Sequence, residues 1–134
     1  MALQFSTVVR NAMLDSIETT VGVSALIQIW AGAVPGNAGT AIGAQTKLVE
    51  FALASDWASA ASGGSKAFLN TPLSVTAVGS GTATFFRITN SAGTTCHVQG
   101  NVGTSGADLN LDNVSINSGQ TVQIVSWTIN APGA

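Results

Sequence analysis

Charge is scarce in this sequence. Only 7% of its 134 residues are Asp, Glu, Lys or Arg, whereas 46% are hydrophobic, and charged residues make up about a quarter of an average soluble domain. Disordered chains combine low hydrophobicity with high charge, so this composition predicts a folded domain. The surface must be built largely from small and neutral polar residues, which protect poorly against association. We therefore expect a folded protein with several contact surfaces.

A cluster of basic residues is also lacking. The four bases, Arg10, Lys47, Lys66 and Arg87, are scattered along the chain, and six acids bring the net charge to −2. Binding to nucleic acid requires Lys and Arg gathered on one surface. The sequence therefore predicts that nucleic acid is not a partner.

Cysteine is limited to Cys96, and long apolar runs are missing. One cysteine excludes an internal disulfide and a cysteine-rich zinc site, and a reduced thiol fits synthesis in a cytoplasm. Arg10 and Asp15 stand where a secretory signal would need its apolar segment. No run approaches the roughly 18 apolar residues of a membrane span. We expect a soluble, unexported protein without a membrane partner.

The chain has no constellation of catalytic residues. His97 is the single histidine and is predicted on the wet face of a strand, without the partners that a triad or a zinc site requires. Cys96 is predicted on the dry face, where burial keeps the pKa of a thiol high. Asp108 and Asp112 lie roughly 13 Å apart by strand rise, too far for paired acid and base carboxylates. We predict no enzymatic activity, no cofactor and no metal.

Four short runs with strand character dominate the second half of the chain. Each is bounded by turn-forming residues: Thr82–Thr89, Thr94–Val102, Ala107–Ile116 and Thr121–Ile129. In the second run Cys96, Val98 and Val102 alternate with polar residues, the pattern of a sheet with one dry face. The last two runs change phase, at Asp112–Val114 and at Ile124–Val125. Such a change predicts a β-bulge or a strand that passes from one sheet into another.

The first half opens with a predicted amphipathic helix over Ser6–Val21. Ser6 or Thr7 can act as N-cap, and Gly22 stands where a helix commonly ends in a left-handed residue. Val9, Met13 and Ile17 recur at i+4 spacing and mark the predicted apolar face. Few charge pairs support the helix, so it has to be held by packing. It either covers one end of the sheet or docks as an arm on a neighbouring subunit.

Further extended segments follow the helix. They are Ser24–Ala31, Lys47–Ala54 and Ala67–Val78. In the second segment Val49, Phe51 and Leu53 are predicted to point inward, and Leu48 outward. The third is interrupted by Pro72, which marks an edge, a bulge or a change of strand.

The number and spacing of these segments predict the fold class. About seven strands with short connections favour a mainly β fold, an antiparallel two-sheet β-sandwich of jelly-roll or immunoglobulin-like type with one N-terminal α-helix. We expect residues 1–134 to form a single domain, with residues 1–22 as its N-terminal helical arm.

Two loops are candidates for contact with a partner. Gly32–Gln45, which contains Pro35 and Asn37, is long for a compact domain, and loops of this length usually bind something or order on assembly. Ser55–Ser65 carries Trp57. A tryptophan in such a loop is either a plug over the core or an anchor for a partner.

Four segments of the chain resemble a known group of proteins. They are ALQFSTVVRNAMLDSIETTVG, ASDWASAASGGSKA, FRITNSAGTTCHVQGNVG and DLNLDNVSINSGQTVQIVSWTI. These segments look like small virion structural proteins of tailed bacteriophages, and the resemblance covers nearly the whole chain. It implies a non-enzymatic capsid cement or decoration protein, made in the bacterial host cytoplasm and located in the virion, on the capsid surface. Its implied partner is the phage major capsid protein, and a homo-oligomer is expected.

Other functions stay open beside that one. A phage tail or fibre component would use the same kind of sandwich. A glycan-binding module would require an exposed aromatic platform built from Trp30, Trp57 or Trp127.

The predicted partner contacts lie in the N-terminal arm, the first strand and the two loops. An N-terminal arm and long loops of small, weakly charged residues allow close approach at a low desolvation cost. The residues expected to make these contacts are Phe5, Arg10, Trp30, Pro35, Asn37 and Trp57.

Overall fold

The N-terminal helix has the predicted bounds. In a computed structural model, which describes residues 2–134, helix α1 spans Thr7–Val21. The Oγ of Ser6 accepts a hydrogen bond from the Val9 N–H at 3.3 Å, as an N-cap does. Gly22 follows with φ 91°, and its N–H donates to the carbonyl of Glu18. The predicted start and stop of the helix are confirmed; Met1, the first residue of the predicted arm, lies outside the described residues.

Ten strands follow the helix within the described part of the chain. They are β1 Leu26–Ala31, β2 Thr46–Ala52, β3 Ser65–Ala67, β4 Leu73–Thr76, β5 Gly81–Thr89, β6 Cys96–Gly103, β7 Leu109–Asn110, β8 Ser115–Ile116, β9 Thr121–Ile124 and β10 Thr128–Asn130. The mainly β fold with one N-terminal helix is therefore confirmed. Several strands are shorter than predicted, because the chain leaves one pairing for another inside a predicted run.

The main sheet has the order β2-β1-β5-β6-β7, and β8 pairs with the start of β5. Its pairs are antiparallel except β6 and β7, which are parallel. Two smaller antiparallel sheets, β10-β3 and β4-β9, complete the fold. The predicted antiparallel pairing therefore holds except at β7, because the loop after β6 returns the chain alongside β6 in the same direction.

At both predicted changes of phase, the chain leaves one strand partner and pairs with another. The run Ala107–Ile116 divides into β7, which pairs with β6, and β8, which pairs with β5. The run Thr121–Ile129 divides into β9, which pairs with β4, and β10, which pairs with β3. A side-chain pattern that changes phase without a turn is what a strand needs when it leaves one sheet for another.

The inward face of β2 is only partly as predicted. Val49, Phe51 and Leu53 are buried, which confirms their orientation, but Leu48 is also fully buried. The turn after β4 lies over it: Val78 N–H donates to the Leu48 carbonyl, and a Cβ on Gly81 would meet the Leu48 side chain at 3.4 Å. Leu48 is therefore covered by a turn whose path the alternation of β2 does not encode.

Strand β5 is buried on both faces. Phe86 and Ile88 point into the main core, while Phe85, Arg87 and Thr89 point to the opposite face, and all five are buried. A strand that is dry on both sides needs a cover on each face. On the second face that cover is the Gly32–Gln45 loop, to which Arg87 donates hydrogen bonds.

Four buried aromatic rings connect the sheets across the main core. Phe68, which follows β3, stacks on Trp127 with ring centroids 4.4 Å apart, and Trp127 meets Phe86 of β5 edge to face at 4.7 Å. Trp57 also packs against Phe68, with ring centroids 5.4 Å apart. Each ring is at most 8% exposed. This row of rings joins the β10-β3 sheet, the main sheet and the second loop in one core.

Removal of the central ring tests that arrangement. We expect Trp127→Ala to lower the free energy of unfolding by about 3–5 kcal/mol, the range for large aromatic-to-alanine substitutions in a core. Val125→Ala, two residues away and 58% exposed, should change it by less than about 0.5 kcal/mol. Chemical denaturation followed by circular dichroism measures both, and equal losses would show that Trp127 does not join the sheets.

Candidate functional site

Helix α1 directs its three charged side chains toward the protein and exposes several apolar side chains to solvent. Leu14 and Val21 are buried on its docked face, and its three charged residues lie on that face as well. The opposite face is uncharged and exposed; its residues are Val8, Val9, Ala12, Met13, Ser16, Thr19 and Thr20. Val8 is 78% exposed. The predicted apolar face is therefore wrong for Val9 and Met13, and their side of the helix has no cover within residues 2–134.

A buried lysine holds the helix in place. Lys66 of β3 has a side chain only 3% exposed, and its Nζ lies 2.8 Å from Asp15 Oδ1 and 3.0 Å from Glu18 Oε1. The same Nζ donates to the Ser59 carbonyl at 2.7 Å. Burial alone would lower the pKa of Lys66, but the hydrogen bonds and charges of the two carboxylates raise it. Ion pairs, and not packing alone, therefore fasten the helix.

Two more side chains of the helix make hydrogen bonds to segments far away in the sequence. Arg10 donates to the Ala131 carbonyl from Nη2 at 2.9 Å and from Nε at 3.3 Å. Asn11 Oδ1 accepts from the Gly64 N–H at 2.8 Å. Gly64 has φ 79°, and a Cβ there would lie 2.5 Å from the Arg10 guanidinium, so a larger residue would strain the backbone and displace Arg10. Arg10, a predicted partner contact, is thus engaged inside the chain.

The Gly32–Gln45 loop lies over the second face of the main sheet, which we call the outer face. A row of polar residues crosses this face on four adjacent strands: Glu50, Gln28, Arg87 and Gln99. Gln99 Nε2 donates to the Pro35 carbonyl at 2.9 Å, and Arg87 Nη2 donates to the Thr40 carbonyl. The sheet therefore holds the loop through its main-chain oxygens, which a sequence pattern does not reveal.

The predicted contact residues fall into separate places. Phe5 is 37% exposed, and its N–H donates to the Gly133 carbonyl, so it lies near Arg10. Trp30 is half-buried on the outer face, and within the Gly32–Gln45 loop Pro35 is buried and Asn37 is exposed. The structure brings Trp30, Pro35 and Asn37 together on the outer face. Phe5 and Arg10 lie elsewhere, at the N-terminal helix.

Trp57 is part of the core. It is 2% exposed, and its Nε1 donates to the Gly22 carbonyl at 2.9 Å. That burial supports its role as a plug and leaves no exposed ring for a partner. Trp127 is 8% exposed as well. Two of the three rings that a glycan-binding platform would need are therefore unavailable, which argues against that function.

Cys96 lies on a different face from the one predicted. A bulge in β6 skips His97, so Cys96 is opposite Thr89 and lines a cavity together with Arg87. Cys96 is half-buried, and burial raises the pKa of its thiol. The alternation from Val98 onward does not extend back through the bulge, because one extra residue reverses the phase.

The Asp108 carboxylate makes a hydrogen bond inside the chain. Asp108 is bound to the Asn101 N–H through Oδ2 at 2.9 Å. Within residues 2–134, no three His, Cys, Asp or Glu side chains are grouped as a metal site would require. A cavity of about 550 Å³ lies between β6, β7 and β10.

The comparisons with known proteins give no relative. No family model, no curated protein and no solved structure matches this chain. Among residues 2–134, no helix has the length and apolar character needed to cross a membrane.

The ion pairs of Lys66 with Asp15 and Glu18, which we call the lysine tie, give a mutational prediction. Lys66→Met leaves Asp15 and Glu18 without their cation, and we expect a loss of about 1–2 kcal/mol of stability. This is below the usual cost of breaking a buried pair, because the Asp15 side chain is 48% exposed. The matched control is Lys47→Met, which breaks an ion pair with Glu50 that is about one-third exposed on both sides and should cost less than about 1 kcal/mol. Thermal unfolding compares them, and an equal effect would contradict the tie.

The same tie predicts a pH dependence. The hydrogen bond from Lys66 lowers the pKa of Asp15 below its ordinary value of 3.8. The stability that ionised Asp15 contributes is therefore present above pH 3.8, and it is lost as the pH falls through the lower pKa of the folded state. The raised pKa of Lys66 adds stability that is complete below its ordinary value of 10.5 and is lost above it. We expect Lys66→Met to flatten both edges of the stability profile; unchanged edges would count against this assignment.

Proposed function

We propose that this chain is a non-enzymatic virion structural protein of a tailed bacteriophage, a capsid cement or decoration protein. The single observation that carries the proposal is that the charged side chains of α1 point inward, while its uncharged solvent-facing side exposes Val8, Val9 and Met13. An exposed apolar helix face is costly in isolation and favourable when a second protein covers it. Leu3 and Phe5, which precede the helix, are also exposed, at 76% and 37%.

The scarcity of free charge supports the same function. Of the ten charged side chains, eight make a hydrogen bond or ion pair inside the chain; the two that make none within residues 2–134 are Asp56 and Asp112. The remaining surface is almost neutral. Contact through such a surface requires little desolvation of charge and depends weakly on salt.

Symmetry makes weak contacts of this kind effective. A cement protein binds many equivalent sites on a shell, and several linked contacts of modest strength give a high overall affinity. The proposed partner is the phage major capsid protein, the proposed location is the capsid surface of the virion, and the protein would act as a homo-oligomer after synthesis in the bacterial host cytoplasm. A tail or fibre location is the alternative, and the position of the protein in a virion map separates the two.

The proposal includes a sandwich architecture. The main sheet would form one layer, and the β4-β9 pair would belong to the second layer, in a jelly-roll or immunoglobulin-like arrangement. The burial of Ile27, Ile29 and Phe51 on the inner face of the main sheet, together with Val122 and Ile124 of β9, supports this description.

Charge placed on the solvent-facing side of α1 tests the function. We expect Val8→Lys and Met13→Lys to reduce incorporation into particles at least tenfold, because a lysine would be buried at the interface, while monomer stability changes by less than about 0.5 kcal/mol. Val125→Lys, at an exposed valine far along the chain, is the control and should leave incorporation unchanged. Copy number per purified particle is the measurement. Normal incorporation of both helix variants would refute the proposed contact.

A further inference from the structure

The cavity of about 550 Å³ between β6, β7 and β10 lies at the edges of two strands. Five successive residues, Ser126–Asn130, line it. The face of a strand offers only every second residue, so a wall of successive residues indicates that β10 turns its edge to the cavity. β6 contributes Val98 and Gln99 in the same way, although the Gln99 side chain is held on the outer face by Arg87. We call this space between two strand edges the edge slot.

Hydrogen bonds fix which main-chain groups of β10 point toward the edge slot. The Trp127 carbonyl accepts from the Phe68 N–H, and the Ala131 N–H donates to the residue just before β3, so both residues turn their main-chain groups to β3. The register of β10 with β3 is continuous, and alternate residues of an antiparallel pair face the partner. The N–H and C=O groups of Thr128 and Asn130 therefore point away from β3, to the edge that lines the slot.

The edge of β6 is open on the other side of the slot. The Asn101 N–H donates to Asp108 Oδ2 at 2.9 Å, so it points away from β5. The register of β5 with β6 is regular from there to Ile88, and Gln99, two residues from Asn101, therefore also turns its main-chain groups away from β5. β7 pairs only with Val102 and Gly103 and does not reach Gln99. The edge slot thus has unpaired main-chain groups on both sides.

The edge of β10 carries no device that keeps another strand away. Native proteins commonly protect an exposed edge with a lysine, another charge or a proline, but Ser126–Asn130 contains none of these. Among the residues that line the slot only Asp108 is charged, and its carboxylate is already hydrogen-bonded. Phe86 and Trp127 add aromatic surface. The slot therefore suits a short, uncharged, extended segment with one apolar side chain.

The residues before α1 have these properties. Ala2, Leu3 and Gln4 are uncharged and exposed, and Leu3 is 76% exposed, so it does not occupy the slot of its own chain. Their main chain makes no hydrogen bond within residues 2–134; the Phe5 N–H, which follows, donates to the Gly133 carbonyl. β3 and β10 are also three residues long. Cavities of roughly 300–1,000 Å³ hold drug-sized ligands, and a tripeptide is of that size.

We propose that Ala2–Gln4 of one copy of this chain form a short strand in the edge slot of a second copy. The segment would lie between β6 and β10, hydrogen-bonded to the main-chain groups that point into the slot, with the Leu3 side chain against Phe86 and Trp127. A strand added to a free edge gains affinity from main-chain hydrogen bonds and specificity from the side chain that fills the cavity. The inference rests on the homo-oligomer of the proposed function and names its contact.

Self-association of the isolated full chain, measured by sedimentation equilibrium, tests the pairing. Leu3→Asp would bury a charge, and Thr128→Pro removes an N–H that points into the slot without removing a β10–β3 hydrogen bond. We expect each to lower the association constant at least tenfold. Gln123→Pro is the matched control for the proline, because Gln123 faces away from β4 in the same way but lies outside the slot. Val78→Asp, at a valine 65% exposed, is the control for the charge.

Mixing the two variants identifies the partner as a second copy. The Leu3→Asp chain keeps an intact slot, and the Thr128→Pro chain keeps an intact segment, so we expect each alone to be monomeric and the mixture to form a one-to-one dimer. When the Leu3→Asp chain is labelled with ¹⁵N and titrated with the unlabelled Thr128→Pro chain, the amide resonances of Gln99 and Asn130 should move and saturate.

Failure of this inference is distinguishable from failure of the proposed function. Val8→Lys, which is expected to reduce incorporation into particles, should leave self-association unchanged. A wild-type chain that stays monomeric, or a dimer that Leu3→Asp does not weaken, would overturn the pairing whatever the result for particles. If Thr128→Pro fails to fold, Leu3→Asp still decides the matter, and the wild-type chain takes the place of the proline variant in the titration. Resonances of Gln99 and Asn130 that stay in place would likewise overturn it.

Discussion

The burial of β5 on both faces is the constraint on which the rest of this structure depends. One face is covered by the aromatic core in which Phe86 meets Trp127. The other face carries Arg87 into the interior, where a cation has to find acceptors. The sheet supplies one acceptor through Gln99, and the loop after β1 supplies the others through its carbonyls. The burial of Arg87 in the central strand therefore depends on the position of the Gly32–Gln45 loop, which supplies its acceptors.

A second consequence of scarce charge is that most charged groups are used internally. Lys66 attaches the helix through two carboxylates, and Arg10 attaches it to the C-terminal segment. Most of the few charged side chains therefore join distant parts of the chain, and the exterior is almost neutral. A surface of that kind associates readily, which connects the energetics of the fold to the proposed function.

Local patterns predicted much of the fold. The cap at Ser6, the stop at Gly22 and both changes of phase in the second half follow from residues close in sequence. Cap chemistry and side-chain alternation act over a few residues, so they can be read without the tertiary structure. Which of the proposed contact residues are exposed and which are buried could not be predicted in this way. Trp57 is an example, because the same residue type suits a core and an interface, and its burial is decided by elements far away in the chain.

The sequence by itself determined a mainly β domain with one N-terminal helix, a surface poor in charge and the positions where strands change partner, since composition and period are properties of the chain. Only the tertiary structure decided which side of the helix is docked, that Leu48 is covered, and that a bulge places Cys96 beside Arg87. Those outcomes depend on long-range packing: a partner such as Lys66, a turn over a strand or one inserted residue reverses an expectation that the local pattern supports.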